Sequence, residues 1–130
     1  MKSLATVCAL LTALSIFAGS LHGHHATPLS VDRRNPVTLR GTVAEFALRS
    51  PHASLTVEVR DDSGEVVQWT LEGGSIRGFI FTGFTPATLP VGQAVTVVAF
   101  PSVTDVHVGQ LSSITLPDGK RYGGGPDPEP

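Results

Sequence analysis

The chain has 130 residues, 41% of them hydrophobic, with 9 Lys and Arg against 11 Asp and Glu, one cysteine and a formal charge of −2. That length is enough for one small domain and no more. The Arg residues are scattered and form no basic stripe with interleaved aromatics, which argues against a nucleic-acid partner, and a mildly acidic domain has no electrostatic reason to hold to an anionic membrane.

Residues 1–23 read as a secretory signal. Lys2 supplies a short positive region, residues 4–17 an apolar stretch interrupted only by Thr and Ser, and Ala18-Gly19-Ser20 the small residues that a signal peptidase accepts. The stretch is too short and too poorly flanked for a membrane span. Cys8 lies inside the apolar region with too few apolar residues ahead of it for a lipoprotein signal. Cleavage would remove this cysteine, so the exported protein, periplasmic or secreted, is expected to carry no disulfide and no thiol chemistry. Two cleavage points compete. Cutting after Ser20 leaves Leu21-His22-Gly23-His24-His25 at the terminus, and cutting after Gly23 makes His24 the first residue.

Residues 24–36 are polar and rich in turn formers, the composition of an extended arm, and Asn35-Pro36 stiffens its junction with the first strand. In that strand, residues 37–48, Val37, Leu39 and Val43 share one parity while Phe46 and Leu48 take the other. A β-bulge near Ala44-Glu45 would reconcile them. Long, bent first strands are what small barrels use to serve both halves of the barrel. Next, Leu55, Val57 and Val59 alternate with Thr56, Glu58 and Arg60, and Val67, Trp69 and Leu71 alternate with Gln68 and Thr70, the period of strands with one buried face. Asp61-Asp62-Ser63-Gly64 between them is a hairpin loop, with Gly64 suited to the positive φ of a tight closure.

After the third strand, Ser75 can cap a short helix over residues 76–84 in which Ile76, Phe79 and Ile80 share a face and Gly83 ends the run. Gly78 and the β-branched residues weaken that helix, and a short strand is the alternative. Residues 94–100 make a fourth strand, residues 110–116 a fifth, and Pro117-Asp118-Gly119 a terminal turn. Residues 120–130 have the composition of a disordered, solvated tail. Three strands, a helix and two strands over residues 37–119 predict a mainly β fold, a five-stranded OB-like barrel with one short helix between strands three and four. A β-sandwich would want more strands than the chain provides. Leu55, Val57, Trp69, Phe79 and Val97 are expected in its core.

The His-His pair after the signal, Pro36-Val37-Thr38-Leu39-Arg40-Gly41-Thr42-Val43-Ala44-Glu45-Phe46, Pro51-His52, Trp69-Thr70-Leu71-Glu72-Gly73-Gly74-Ser75 and Ser113-Ile114-Thr115-Leu116-Pro117-Asp118-Gly119 together resemble a family of small secreted bacterial proteins of unknown function. That family usually has an aromatic followed by Asn-Pro-His at the first turn. Here Leu48 and Ser50 stand in those places. The resemblance implies an OB-like fold and an exported location, and no activity.

Histidine is the commonest metal ligand, and the expected mature chain holds few: His24, His25, His52 and His107, with His22 added by the earlier cleavage. His24 and His25 on an arm can converge with His52 on the turn ahead of strand two, and a free α-amino group beside His24 would suit Cu(II), with Zn(II) the other candidate. The plainer alternative makes His52 a turn residue and the pair a solvated terminus. His107, in a loop, reads as an ordinary exposed residue. No enzyme is indicated. Ser75 lacks the second glycine of a nucleophile elbow, Ser50 and Ser54 lack any such context, and Glu45 and Glu72 read as solvated strand-edge carboxylates. Gly73-Gly74 ahead of a helix could cradle an anion, but Glu72 beside them would repel one. Two function classes follow. One is an exported metal-binding module using His24, His25 and His52, and the other a partner- or ligand-binding OB-like domain, without metal or catalysis, contacting through the loop of residues 101–109.

Overall fold

A computed structural model describes residues 29–75, 77, 78 and 82–130. Six strands run in chain order: β1 Val37–Leu48, β2 His52–Arg60, β3 Val66–Ser75, β4 Ala94–Pro101, β5 Val108–Thr115 and β6 Arg121–Gly123. Antiparallel neighbours follow the order β3-β2-β1-β4-β5-β6, and a parallel pairing of β3 with β5 joins the ring, closing the first five strands into a barrel. Closure through a parallel β3–β5 contact is the arrangement expected of an OB-like barrel. The contact is short, with Thr70, Leu71 and Glu72 opposite Val108, Gly109 and Gln110. A Cβ on Gly109 would lie 2.7 Å from the carbonyl oxygen of Phe100, so the close approach of β4 at this corner requires glycine.

The two parities of β1 are reconciled as the sequence predicts. Its register against β2 shifts between Val43 and Glu45, so Val43 faces Val57 before the bulge while Phe46 and Leu48 face Leu55 and Ala53 after it. Inside the barrel, Leu55, Val57, Leu71 and Val97 are fully buried, packed with Leu39, Val43, Ile114, Phe84 and Tyr122. Burial of this much apolar surface on strands from every part of the chain is what drives closure. Trp69 departs from expectation. It has the inward parity and faces Val57, but it is only half-buried, against the core on one side and 5.3 Å from the His107 ring on the other. A ring of that size can pack its body on the core and keep one edge in solvent.

The hairpin between β2 and β3 is built by Asp61. Its Oδ1 accepts from Ser63 Oγ at 2.6 Å, Ser63 N at 2.9 Å and Glu65 N at 3.0 Å, and Gly64 takes φ +86°. These donors, the Ser63 hydroxyl first, hold the Asp61 carboxyl below its ordinary range.

The predicted helix is not part of the described fold. Residues 76 and 79–81, with Ile76, Phe79 and Ile80 among them, lie outside the described residues. At the flanks, Gly78 N donates to Ser75 Oγ at 3.3 Å and Thr82 N donates to the Gly78 carbonyl at 3.3 Å. Arg77 and Gly78 are in helical conformation, and the helical element named among the described residues of this connection is a 3-10 turn, Pro86–Thr88, where Thr85 N donates to Thr88 Oγ1 at 2.9 Å. β6 is a second difference. Residues 121–123, expected in the tail, pair with Ser113, Ile114 and Thr115 of β5 and bury Tyr122 beside the Phe84 ring at 4.1 Å. One buried aromatic was enough to extend the sheet past the terminal turn.

Candidate functional site

His52 is the first residue of β2, directly after a cis Ser50–Pro51 bond. Opposite it, β3 carries one extra residue: Ser54 faces Glu72, yet His52 faces Ser75, so the ladder is interrupted at Gly73-Gly74. Two glycines tolerate such a bulge, and the bulge re-aims the side chains around it. The result is a short contact of 2.5 Å between His52 Nδ1 and Glu72 Oε1, with the two side chains 50% and 42% exposed. Because a carboxylate can only accept, the ring presents Nδ1–H to Glu72 and leaves Nε2 as the acceptor nitrogen when the imidazole is neutral.

The N-terminal arm is fastened next to this pair. Val31 bridges to Ser102, Asp32 N donates to the Pro101 carbonyl at 2.9 Å, and Val103 N donates to the Ser30 carbonyl at 3.0 Å. Asp32 in turn shapes the bend that follows, accepting from Asn35 Nδ2 at 2.7 Å and Arg34 N at 2.9 Å. These two bonds, Asn35 first, hold its carboxyl below the usual range. Arg33 lies over the Phe100 ring at 5.2 Å and donates to Gln110 Oε1 at 2.6 Å. Gln110 is the register partner of Glu72. The Arg33–Gln110 and His52–Glu72 contacts are therefore carried by neighbouring strands, linked through the Glu72–Gln110 register pair.

His24 and His25 lie outside the described residues. His25 is six residues before Val31, and an extended chain covers about 3.3–3.6 Å per residue, so it has roughly 20 Å of reach from its anchor. Among the described residues no three His, Cys, Asp or Glu side chains come together as a metal cage. What they provide is the His52–Glu72 pair, and His107 stands apart from it. Its backbone takes φ +56°, its carbonyl accepts from Thr70 N at 2.9 Å, and its ring faces Trp69. Glu45 and Glu72, weighed together as carboxylates in the sequence, have different partners: Glu45 sits 3.5 Å from Arg49, with both side chains in solvent, and Glu72 meets His52. Gly73-Gly74 do not open a helix but continue β3, which removes the geometry an anion cradle needs.

Glu72 is the residue that sequence reasoning missed. A signal existed, because counting back from the hairpin places Ser54 opposite Glu72 and so brings His52 within two residues of it. The loop expected to carry contacts, residues 101–109, is held by its own polar groups. Ser102 Oγ accepts from Thr104 N at 3.2 Å and Asp105 N at 3.0 Å, and the loop leaves Val103 and Val106 59% and 82% exposed. An apolar pocket of about 170 Å³ lies between the Gly74-Ser75 end of β3 and β5–β6, walled by Phe84, Leu111, Ile114 and Tyr122. No helix among the described residues is long and apolar enough to cross a membrane.

Comparison with curated proteins finds no match, and neither does comparison with solved structures. A family model matches residues 12–110, which take in the arm, β1 to β4 and the His52–Glu72 pair, and the chain accordingly belongs to the family of unknown function DUF6152.

Proposed function

We propose that the protein is an exported binding module that takes a divalent transition metal, copper before zinc, at a site made of His52 and the N-terminal histidines His24 and His25. The observation that carries this reading is the 2.5 Å contact of His52 Nδ1 with Glu72. A metal-binding histidine characteristically gives its other ring N–H to a carboxylate, which fixes the tautomer and raises the basicity of the ligating nitrogen. Half-exposure leaves Nε2 open to an ion, and the arm is anchored through Arg33 on Gln110, the register partner of Glu72. Glu72 acts as the orienting group, His52 as the fixed ligand, and the arm as the part that closes on the metal.

Cu(II) is favoured because amine and imidazole nitrogens in a tetragonal set suit it and it heads the divalent affinity order. The amine of a chain beginning at His24 and the ring of His24 would form one chelate, with His25 and His52 adding nitrogens. Protons compete for all of these, so occupancy should fall as the buffer is acidified. The test is a competitive copper titration of the protein beginning at His24, a form with an added N-terminal Met, His52→Ala and Glu72→Gln. All three altered forms should bind more weakly, Glu72→Gln by about 10-fold or more. Equal affinities across the four would remove His52 and the free terminus from the site.

A second reading keeps one specific observation. Val103 and Val106 stand out from a loop rigidified by Ser102 and Asp105, a shape suited to an apolar contact with a protein partner. Val106→Asp would abolish such a contact and leave copper affinity unchanged.

A further inference from the structure

Val98 should be exposed and is not. Its neighbour Val97 faces the core, paired with Leu39 and Ile114, so the alternation of β4 turns Val98 outward, between Thr38 of β1 and Ser113 of β5. Yet Val98 and Ser113 are each only 2% exposed. The cover is the C-terminal segment, residues 124–130. Ser112 Oγ donates to the Gly124 carbonyl at 2.8 Å, and Arg121 Nη2 donates to Ser113 Oγ and the Gly125 carbonyl, each at 3.2 Å, and to the Pro126 carbonyl at 2.6 Å. At the far end, Glu129 N donates to Thr38 Oγ1 at 3.0 Å and Arg40 donates to the Glu129 carbonyl. The two anchors sit on Ser113 and Thr38, the two residues that flank Val98, and Pro128, in the stretch of tail between them, is partly withdrawn from solvent.

We infer that the outward face of β1, β4, β5 and β6 is a binding groove for an extended, acidic, proline-alternating peptide, and that the chain's own C-terminus, Gly125-Pro126-Asp127-Pro128-Glu129-Pro130, occupies it. Three features fit that ligand class. The donors from Arg121 and Arg40 go to backbone carbonyls, the groups that an extended strand without internal hydrogen bonds leaves free. Alternating prolines hold the segment extended before it binds and so reduce the entropy lost on docking. The charge is complementary, with Arg121 Nη1 2.6 Å from Asp127 Oδ1 and the Glu129 carboxylate following two residues later on a face carrying Arg40. This groove is independent of the His52–Glu72 site, and its failure would leave that reading untouched.

The test uses the chain ended at Gly124, checked for a cooperative unfolding transition, and a fluorescently labelled peptide of sequence GPDPEP followed by anisotropy. The shortened protein should bind it saturably, with affinity reduced several-fold in high salt and lost in Arg121→Met. The full chain should bind at least about 10-fold more weakly, because its groove is already filled. Equal binding to both forms, or none to a shortened chain that still unfolds cooperatively, would overturn the inference. Should the shortened chain not fold, backbone ¹⁵N relaxation of the full chain decides. Amides of Asp127 and Glu129 as rigid as those of β6 would support the groove, and the same amides as mobile as in the free peptide would overturn it.

Discussion

The outward face of β1, β4 and β5 buries a valine under the chain's own C-terminus, whereas the outward face of β2, β3 and β5 leaves a histidine and a glutamate half exposed. Both faces belong to one barrel and share β5, so the difference lies in what the chain lays across them. On the covered face, hydrogen bonds run to backbone carbonyls of residues 125, 126 and 129 and exclude water from Val98. On the open face, His52 pairs with Glu72 and Arg33 with Gln110, and the His52 and Glu72 side chains stay half in solvent. A covered face adds stability. An open face leaves an oriented imidazole in solvent, where the proposed metal would meet it.

The largest expected effect lies in the interior that both faces share. Leu71 is fully buried where β3 meets β5, and Leu71→Ala should cost about 2–5 kcal/mol in urea unfolding with chelator present. The wild-type barrel should unfold cooperatively under the same metal-free conditions, because its core is made by strands and not by the histidines. Absence of a cooperative transition without metal would merge fold and site and break the comparison. A smaller effect separates the faces directly. Val98→Ala removes two methyl groups beneath the tail and should cost about 1.5–3 kcal/mol, while Thr70→Ala, exposed on the other side, should stay within about 0.5 kcal/mol. Equal costs would mean that the tail does not seal its face.

The inner surface was legible from periodicity. Alternation in β2 and β3 and the change of parity at Ala44 predict the buried residues and the bulge, because hydrophobic burial writes itself into spacing. The covered face was not legible. A run of glycines and prolines has the composition of a solvated end, and nothing in composition shows that Arg121 finds three acceptors on the tail and a fourth on Ser113. Half of the open site was legible. His52 stands out as one of few histidines, but its partner depended on one extra residue at Gly73-Gly74, and glycines carry no side chain in which a change of parity could be read. Trp69 shows the limit of parity, since an inward position in the alternation is not the same as full burial.

The smallest effect concerns the hairpin that carries the open face. Asp61 has its carboxyl pKa lowered by folding, chiefly by the Ser63 hydroxyl. A depressed carboxylate contributes stability above its unfolded value, and that contribution is lost as pH falls through the folded value. The unfolding midpoints of wild type and Asp61→Ala should therefore differ at neutral pH and converge in strong acid. A difference that persists unchanged through acid would assign Asp61 a purely steric role.

The central claim is that His52, oriented by Glu72, presents Nε2 to a metal together with the terminal histidines. It is tested most directly by ¹⁵N-detected NMR of the imidazole nitrogens in protein beginning at His24, titrated with diamagnetic Zn(II) above neutral pH. Before metal, His52 should be the tautomer protonated at Nδ1. At one equivalent, His52 Nε2 should shift together with a ring nitrogen of His24 or His25, and Glu72→Gln should weaken both shifts in parallel. Zinc that moves only the terminal histidines, or a His52 ring that keeps its metal-free shifts at saturation, would contradict the account.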